Sequence, residues 1–142
     1  MRIVRPRTEE TAMRLRSIAI ATMLAAALGA SAQDAQPKRT ILDQHDESGA
    51  PGTEIILGTA EFPAGTSVGW HVHPGDESGY VLKGNLVLKT RGKPDQVLKA
   101  GDHFFNPRGA VHSMEAAPGT DGGVAVSTWV LDKGKPLAEP VK

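Results

Sequence analysis

From residue 54 onward, apolar and polar positions alternate in short runs, the period of two that sends successive side chains of a strand to opposite faces. The runs fall at 54–62, 67–72, 78–83, 85–90, 96–99, 103–106, 110–117 and 124–131 and predict eight strands. Between them stand Pro63-Ala64-Gly65, Pro74-Gly75-Asp76, Lys83-Gly84-Asn85, Arg91-Gly92-Lys93-Pro94, Gly101-Asp102, Pro107-Arg108-Gly109 and the glycine-rich 118–123. Glycine and proline supply the dihedrals that tight turns need, and Lys83-Gly84-Asn85 reads as a hairpin. No long amphipathic helix interrupts this part of the chain. A single flat sheet of such strands would leave an apolar face in water, so the strands are expected to fold over on themselves. The prediction is an all-β domain over 53–132.

The flanks differ in pattern. Residues 33–52 are polar, hold Pro37, Gly49, Pro51 and Gly52 without a sustained period, and read as an N-terminal arm whose Ile41-Leu42 can dock as an edge strand. Residues 133–142, with Pro136 and Pro140, read as a loose C-terminal tail. The first 32 residues carry Arg14 and Arg16, an apolar run over 18–28 and the small residues Ala30-Ser31-Ala32, the layout of a secretory signal peptide cleaved after Ala32. The run is shorter than the roughly 20 residues of a membrane-crossing helix, so no membrane attachment is expected after cleavage. Glu9 and Glu10 sit badly in a basic leader, and Met13 is an alternative start to Met1. The expectation is a periplasmic or secreted protein.

Charge changes the picture once the leader is set aside. The chain of 142 residues has 16 Lys+Arg and 16 Asp+Glu; the leader holds five arginines and two glutamates, leaving 11 basic against 14 acidic residues, a formal charge of −3. There is no basic stripe to follow a phosphate backbone, so nucleic acid is not an expected partner and small molecules are. The absence of cysteine rules out disulfides and a thiolate nucleophile, and is compatible with an oxidising compartment.

The candidate chemistry lies in four residues. His71 and His73 are two apart on or at the end of a predicted strand, so both imidazoles point the same way while Trp70 and Val72 take the other face. Glu77 follows across a turn, and His112 completes the set if the sheet folds back. Imidazole nitrogen with carboxylate oxygen and no sulfur suits Fe(II), Mn(II), Ni(II), Co(II) or Zn(II), and the lack of thiolates argues against a closed structural zinc site. His103 and Arg108 are secondary candidates, the latter as a cation at a cavity mouth; His45 reads as solvent-facing.

These residues fall into a known pattern. Gly65, His71, His73, Glu77 and Gly84 match G-x5-H-x-H-x3-E-x6-G at every spacing, and Gly101, Pro107, Gly109 and His112 match G-x5-P-x-G-x2-H-x3-N except at its end, where Ala116 replaces asparagine. In both motifs the chain resembles the cupin superfamily, in particular its small single-domain, quercetinase-like members. The resemblance implies a double-stranded β-helix, a jelly-roll-like barrel, with a divalent metal ligated by His71, His73, Glu77 and His112. Cupins span many activities, so the fold does not name a reaction. A metal-dependent, dioxygenase-like enzyme acting on a small molecule is the first expectation. A non-catalytic module that binds metal or a small ligand is the alternative. A homodimer is expected, with Trp70, Val72 and Tyr80 on the covered face.

Overall fold

The structure is a computed structural model and describes residues 35–142. The expected signal peptide lies outside the described residues, as do the first two positions of the arm. The order is β1 (Lys38–Asp46), β2 (Thr53–Pro63), β3 (His71–Val72), β4 (Gly75–Thr90), β5 (Gln96–Lys99), β6 (His103–Asn106), β7 (His112–Ala116), β8 (Gly122–Asp132) and β9 (Glu139–Pro140). Among the described residues there is no helix, and every strand pairing is antiparallel. The result is the expected all-β, curled double-stranded β-helix.

The curl is built into β4. Its first half pairs with β8 and β6, and its second half with β5 and β7, so one strand runs through both layers. A register shift between Val81 and Lys83 marks the crossing. Before it, Glu77, Gly79 and Val81 face inward; after it, Leu86 and Leu88 do. An added residue on one strand of a ladder reverses which parity is buried, and it bends and twists the strand. The expected hairpin at Lys83-Gly84-Asn85 is therefore corrected to a bend inside a single strand. Gly84 has φ +75°, and a Cβ there would lie 2.0 Å from the Gly122 carbonyl oxygen, so the bend needs glycine for conformation and for space.

Between the layers, Phe62, Val81, Leu86, Leu88, Leu98, Phe104, Met114, Ala116 and Ala125 form one buried cluster. Ile56, Trp129 and Leu131 form a second, capped by the half-buried Leu137. Ala116, at the position where the motif has asparagine, packs in the first cluster, and its N–H donates to Thr66 O at 2.9 Å.

Both flanks are more ordered than their composition suggests. The polar arm carries β1, which pairs along β2 from Lys38↔Glu61 to Asp46↔Glu54 with a register shift between Ile41 and Asp43. The tail is corrected from loose to docked: β9 pairs with β3 through His71↔Pro140 and Val72↔Glu139, and Val141 N–H donates to Trp70 O at 2.9 Å. Backbone hydrogen bonding holds it, a contribution that side-chain patterning does not reveal.

Candidate metal centre

The four residues singled out in the sequence come together between the layers. His71 and His112 face each other as the paired residues of β3 and β7; His73 leaves the end of β3, and Glu77 is an inward position of β4. All four are buried. The imidazole centroids lie 4.3 Å apart for His71 and His112 and 5.0 Å apart for the other two pairs. The histidine ligand atoms lie within 4.8 Å of one another, so the three rings can hold one metal ion. Glu77 Oε2 is 3.3 Å from Nε2 of both His73 and His112. Donors about 2.1 Å from a common ion and adjacent in its shell are about 3.0–3.4 Å apart, so this carboxylate oxygen is spaced as a neighbouring ligand would be.

Backbone carbonyls orient the rings. His71 Nδ1 donates to Gly69 O at 2.8 Å, His73 Nδ1 to Leu137 O at 2.5 Å and His112 Nδ1 to Ala110 O at 2.9 Å. A carbonyl only accepts, so each Nδ1 carries a proton, and a ring with no second proton presents its Nε2 lone pair. The Trp129 indole N–H, 3.4 Å from His73 Nε2, needs a lone pair at that atom too. Three lone pairs and a carboxylate thus converge, an arrangement that attracts either a cation or further protons on the rings.

The electrostatics point the same way. Burial pushes the His71 imidazole down to about 4 against the bond to Gly69, and the neighbouring His112 and His73 add to the fall, so His71 stays neutral at ordinary pH. Burial alone would raise the Glu77 carboxyl. Hydrogen bonds from His112 and His73, which form only when those rings carry a proton on Nε2, together with the bond from Asn106, outweigh it and hold the group well below the usual carboxylate range; an ion at the same place would take over from that proton. Asn106 Nδ2 donates to Glu77 Oε2 at 2.8 Å and is buried beside it.

Sequence reasoning missed Asn106, although its inward parity with Phe104 in β6 was a usable signal. It also missed Arg39. This residue stands in β1, its guanidinium 5.6 Å above the Trp129 ring, and lines a cavity with Phe62, Val68, His71, Glu77, Phe104 and His112. Burial of the group lowers its pKa, with Glu77 opposing, although the side chain as a whole keeps an exposed surface. Among the described residues its guanidinium makes no ion pair or hydrogen bond.

The secondary candidates lie elsewhere. Arg108 forks onto Asp132 at 2.8 and 2.9 Å on the surface, and its backbone N–H donates to Asp76. His103 points outward on β6, and His45 faces solvent near Asp43. A wider open cleft of about 300 Å³ lies at the Gly84–Gly122 end of the domain and contains none of the histidines.

A family model for the cupin domain matches residues 58–130. The chain is 44% identical over 67 residues to the oxalate-binding protein of Thermotoga maritima, a match covering 46% of this chain and 54% of that protein. It is 29% identical over 102 residues to oxalate oxidase 2 of Hordeum vulgare, covering 64% of this chain and 46% of that one. The chain thus spans about half the length of these relatives. A crystal structure of a cupin-like protein from Thermotoga maritima superposes with a TM-score of 0.58 at 30% identity, over 74% of this chain and 75% of the other. The motifs, the two-layered β-fold, the histidine cluster and these matches lead to one conclusion: the chain belongs to the cupin family.

Proposed function

We propose that the chain is an exported cupin that holds one divalent transition-metal ion on His71, His73, Glu77 and His112 and, with Arg39, takes up a small dianion of the dicarboxylate kind. The observation that carries this reading is the Arg39 guanidinium, unpaired among the described residues, in the same cavity as His71, Glu77 and His112. A divalent ion, one carboxylate and one guanidinium sum to a charge of +2, which a dianion balances. A carboxylate is the partner that a guanidinium forks onto best, and Arg39 stands at the wall of the cavity with no such partner among the described residues. The cavity is about 30 Å³, against roughly 10–15 Å³ for one water on the same measure, which favours a ligand of a few atoms. The oxalate-binding relative supports the same chemistry.

The ion is Fe(II), Mn(II), Ni(II), Co(II) or Zn(II), as the donor set allows. Export rests on the leader-like residues 1–32 and places the protein in the periplasm or outside the cell. A homodimer is proposed through the outer face of the sheet that β6 and β8 form with the first half of β4, where Tyr80, Leu82, Phe105 and Val130 are exposed. A second reading, oxygen-dependent turnover of the bound molecule as in a dioxygenase-like enzyme, is favoured by the walls Phe62, Val68, Phe104 and Met114, which limit water around the site. When bound, the ion would supply Lewis-acid or one-electron chemistry.

Calorimetric titration of Mn(II)-loaded protein with oxalate and with acetate tests the proposal. Oxalate is expected to bind much more tightly than acetate, and Arg39→Gln to weaken oxalate by about 10- to 100-fold, the loss of a charge-assisted hydrogen bond. Equal affinity in the variant would remove Arg39 from the reading, and no oxalate binding to loaded protein would remove the ligand class. Oxygen uptake with oxalate then separates turnover from capture.

A further inference from the structure

We propose that the C-terminal segment 133–142 is a clasp that positions the metal site and governs the release of its ion. The proposal rests on the four-residue site proposed above and assigns a role to residues outside it.

β3, which carries His71 and leads into His73, is two residues long. Among the described residues its ladder partners are β7, through His71↔His112 alone, and β9, through His71↔Pro140 and Val72↔Glu139. So short a strand has little hold of its own, and most of its pairing comes from the C-terminal segment. Val141 N–H adds a bond to Trp70 O, next to His71.

The segment reaches a second ligand directly. Leu137 O accepts the Nδ1 proton of His73 at 2.5 Å. This bond fixes the ring plane and leaves the Nε2 lone pair facing Glu77, so Leu137 acts as a positioning residue through its carbonyl. Its side chain packs on Ile56, Trp129 and Leu131, which anchors that carbonyl. Gly69 and Ala110, the carbonyls that serve His71 and His112, lie two residues from the rings they orient; His73 alone takes its orienting bond from 64 residues away.

The same segment walls an approach to the ligands. Ala138 and Pro140, with Arg39, Trp70 and His71, line an open cleft of about 230 Å³. Yet the clasp is lightly held: Leu137 is its one side chain packed on a core cluster, Lys133, Gly134, Lys135, Glu139 and Pro140 are exposed, and Lys133 Nζ–Asp46 at 2.6 Å and Arg91 to Lys142 O at 3.3 Å are surface contacts. Segments with few buried apolar contacts open at a small fraction of the global unfolding free energy. The clasp can therefore lift without unfolding the barrel, and each opening loosens β3 and frees His73 to rotate. Linkage makes the effect reciprocal: if closure tightens the ion, the ion must tighten closure by the same factor.

The test uses the full chain, Leu137→Ala and a chain ending at Lys135, each loaded with Zn(II). Chelator competition gives the affinity, and transfer to excess chelator gives the release rate. The expected result is a rise of about 10- to 100-fold in Kd for the shortened chain, expressed mostly as faster release, with a smaller rise for Leu137→Ala. In the intact protein, amide exchange at Val72 and Val141 is expected to slow on Zn(II) loading, a change that needs no variant to fold. Unchanged Kd and release rate in both variants, or Val141 exchange indifferent to bound Zn(II), overturns the clasp and leaves the metal site standing. Failure of the intact chain to bind any divalent ion overturns both.

Discussion

Replacing Asn106 by leucine removes the buried amide that donates to Glu77 Oε2 at 2.8 Å while leaving a side chain of similar size, so little cavity is opened. A hydrogen bond to a charged group contributes about 1.5–3 kcal/mol, and leaving the carboxylate oxygen unsatisfied in a buried setting costs a similar amount. At 1.36 kcal/mol per decade this corresponds to about 10- to 150-fold in metal affinity if Glu77 is a ligand that Asn106 holds in place. Losses on removing such outer partners of metal ligands run to about 10- to 100-fold, so two independent routes to the magnitude agree. The assay is Zn(II) or Mn(II) competition against a chromophoric chelator, with urea unfolding of the metal-free protein alongside. Metal affinity in Asn106→Leu within twofold of the parent, with the fold intact, would refute the claim that Asn106 orients a ligating Glu77.

Other outcomes follow from the same geometry. For the metal-free protein, His71 has a folded value of about 4 against an ordinary 6.5, so between these the unfolded chain binds a proton that the folded chain refuses. Stability then rises with pH: the His71 contribution is fully present above pH 6.5 and lost as the pH falls toward 4, which urea midpoints at pH 7.5, 5.5 and 4 will show as a steady drop absent from His71→Ala. Gly84→Ala combines a left-handed backbone position, about 1–3 kcal/mol, with a Cβ 2.0 Å from the Gly122 carbonyl oxygen, about 1–3 kcal/mol more, and should lower the thermal midpoint sharply or prevent folding. Leu88→Ala, at 1% exposure in the main core cluster, should cost about 2–5 kcal/mol in urea unfolding without altering the donor set.

Much of the domain was legible because it is written in local periods. Strand alternation and Gly/Pro turns gave most strands within a few residues, and the His71, His73, Glu77 and His112 set followed from spacing within two motifs. What escaped depends on distant backbone partners. β1 carried no readable parity because a register shift splits it and both of its faces are largely exposed, and so Arg39 went unnoticed. β4 looked like two strands because a glycine bend resembles a hairpin unless both neighbours of the strand are known. Arg108 looked better placed than Arg39 because it lies between motif positions, yet its fork onto Asp132 commits it to the surface. The segment 133–142 is short, polar and proline-bearing, and its order comes from main-chain bonds that no side-chain pattern reports.

The central claim is that three imidazoles and one carboxylate surround a single cation, and elemental analysis tests it most directly. Protein purified without chelators, then dialysed against limiting divalent metal, should hold one ion per chain, and the His73→Ala/His112→Ala variant, shown folded by circular dichroism, should hold none. Equal metal content in the two proteins, or no ion retained by the intact chain, would contradict it.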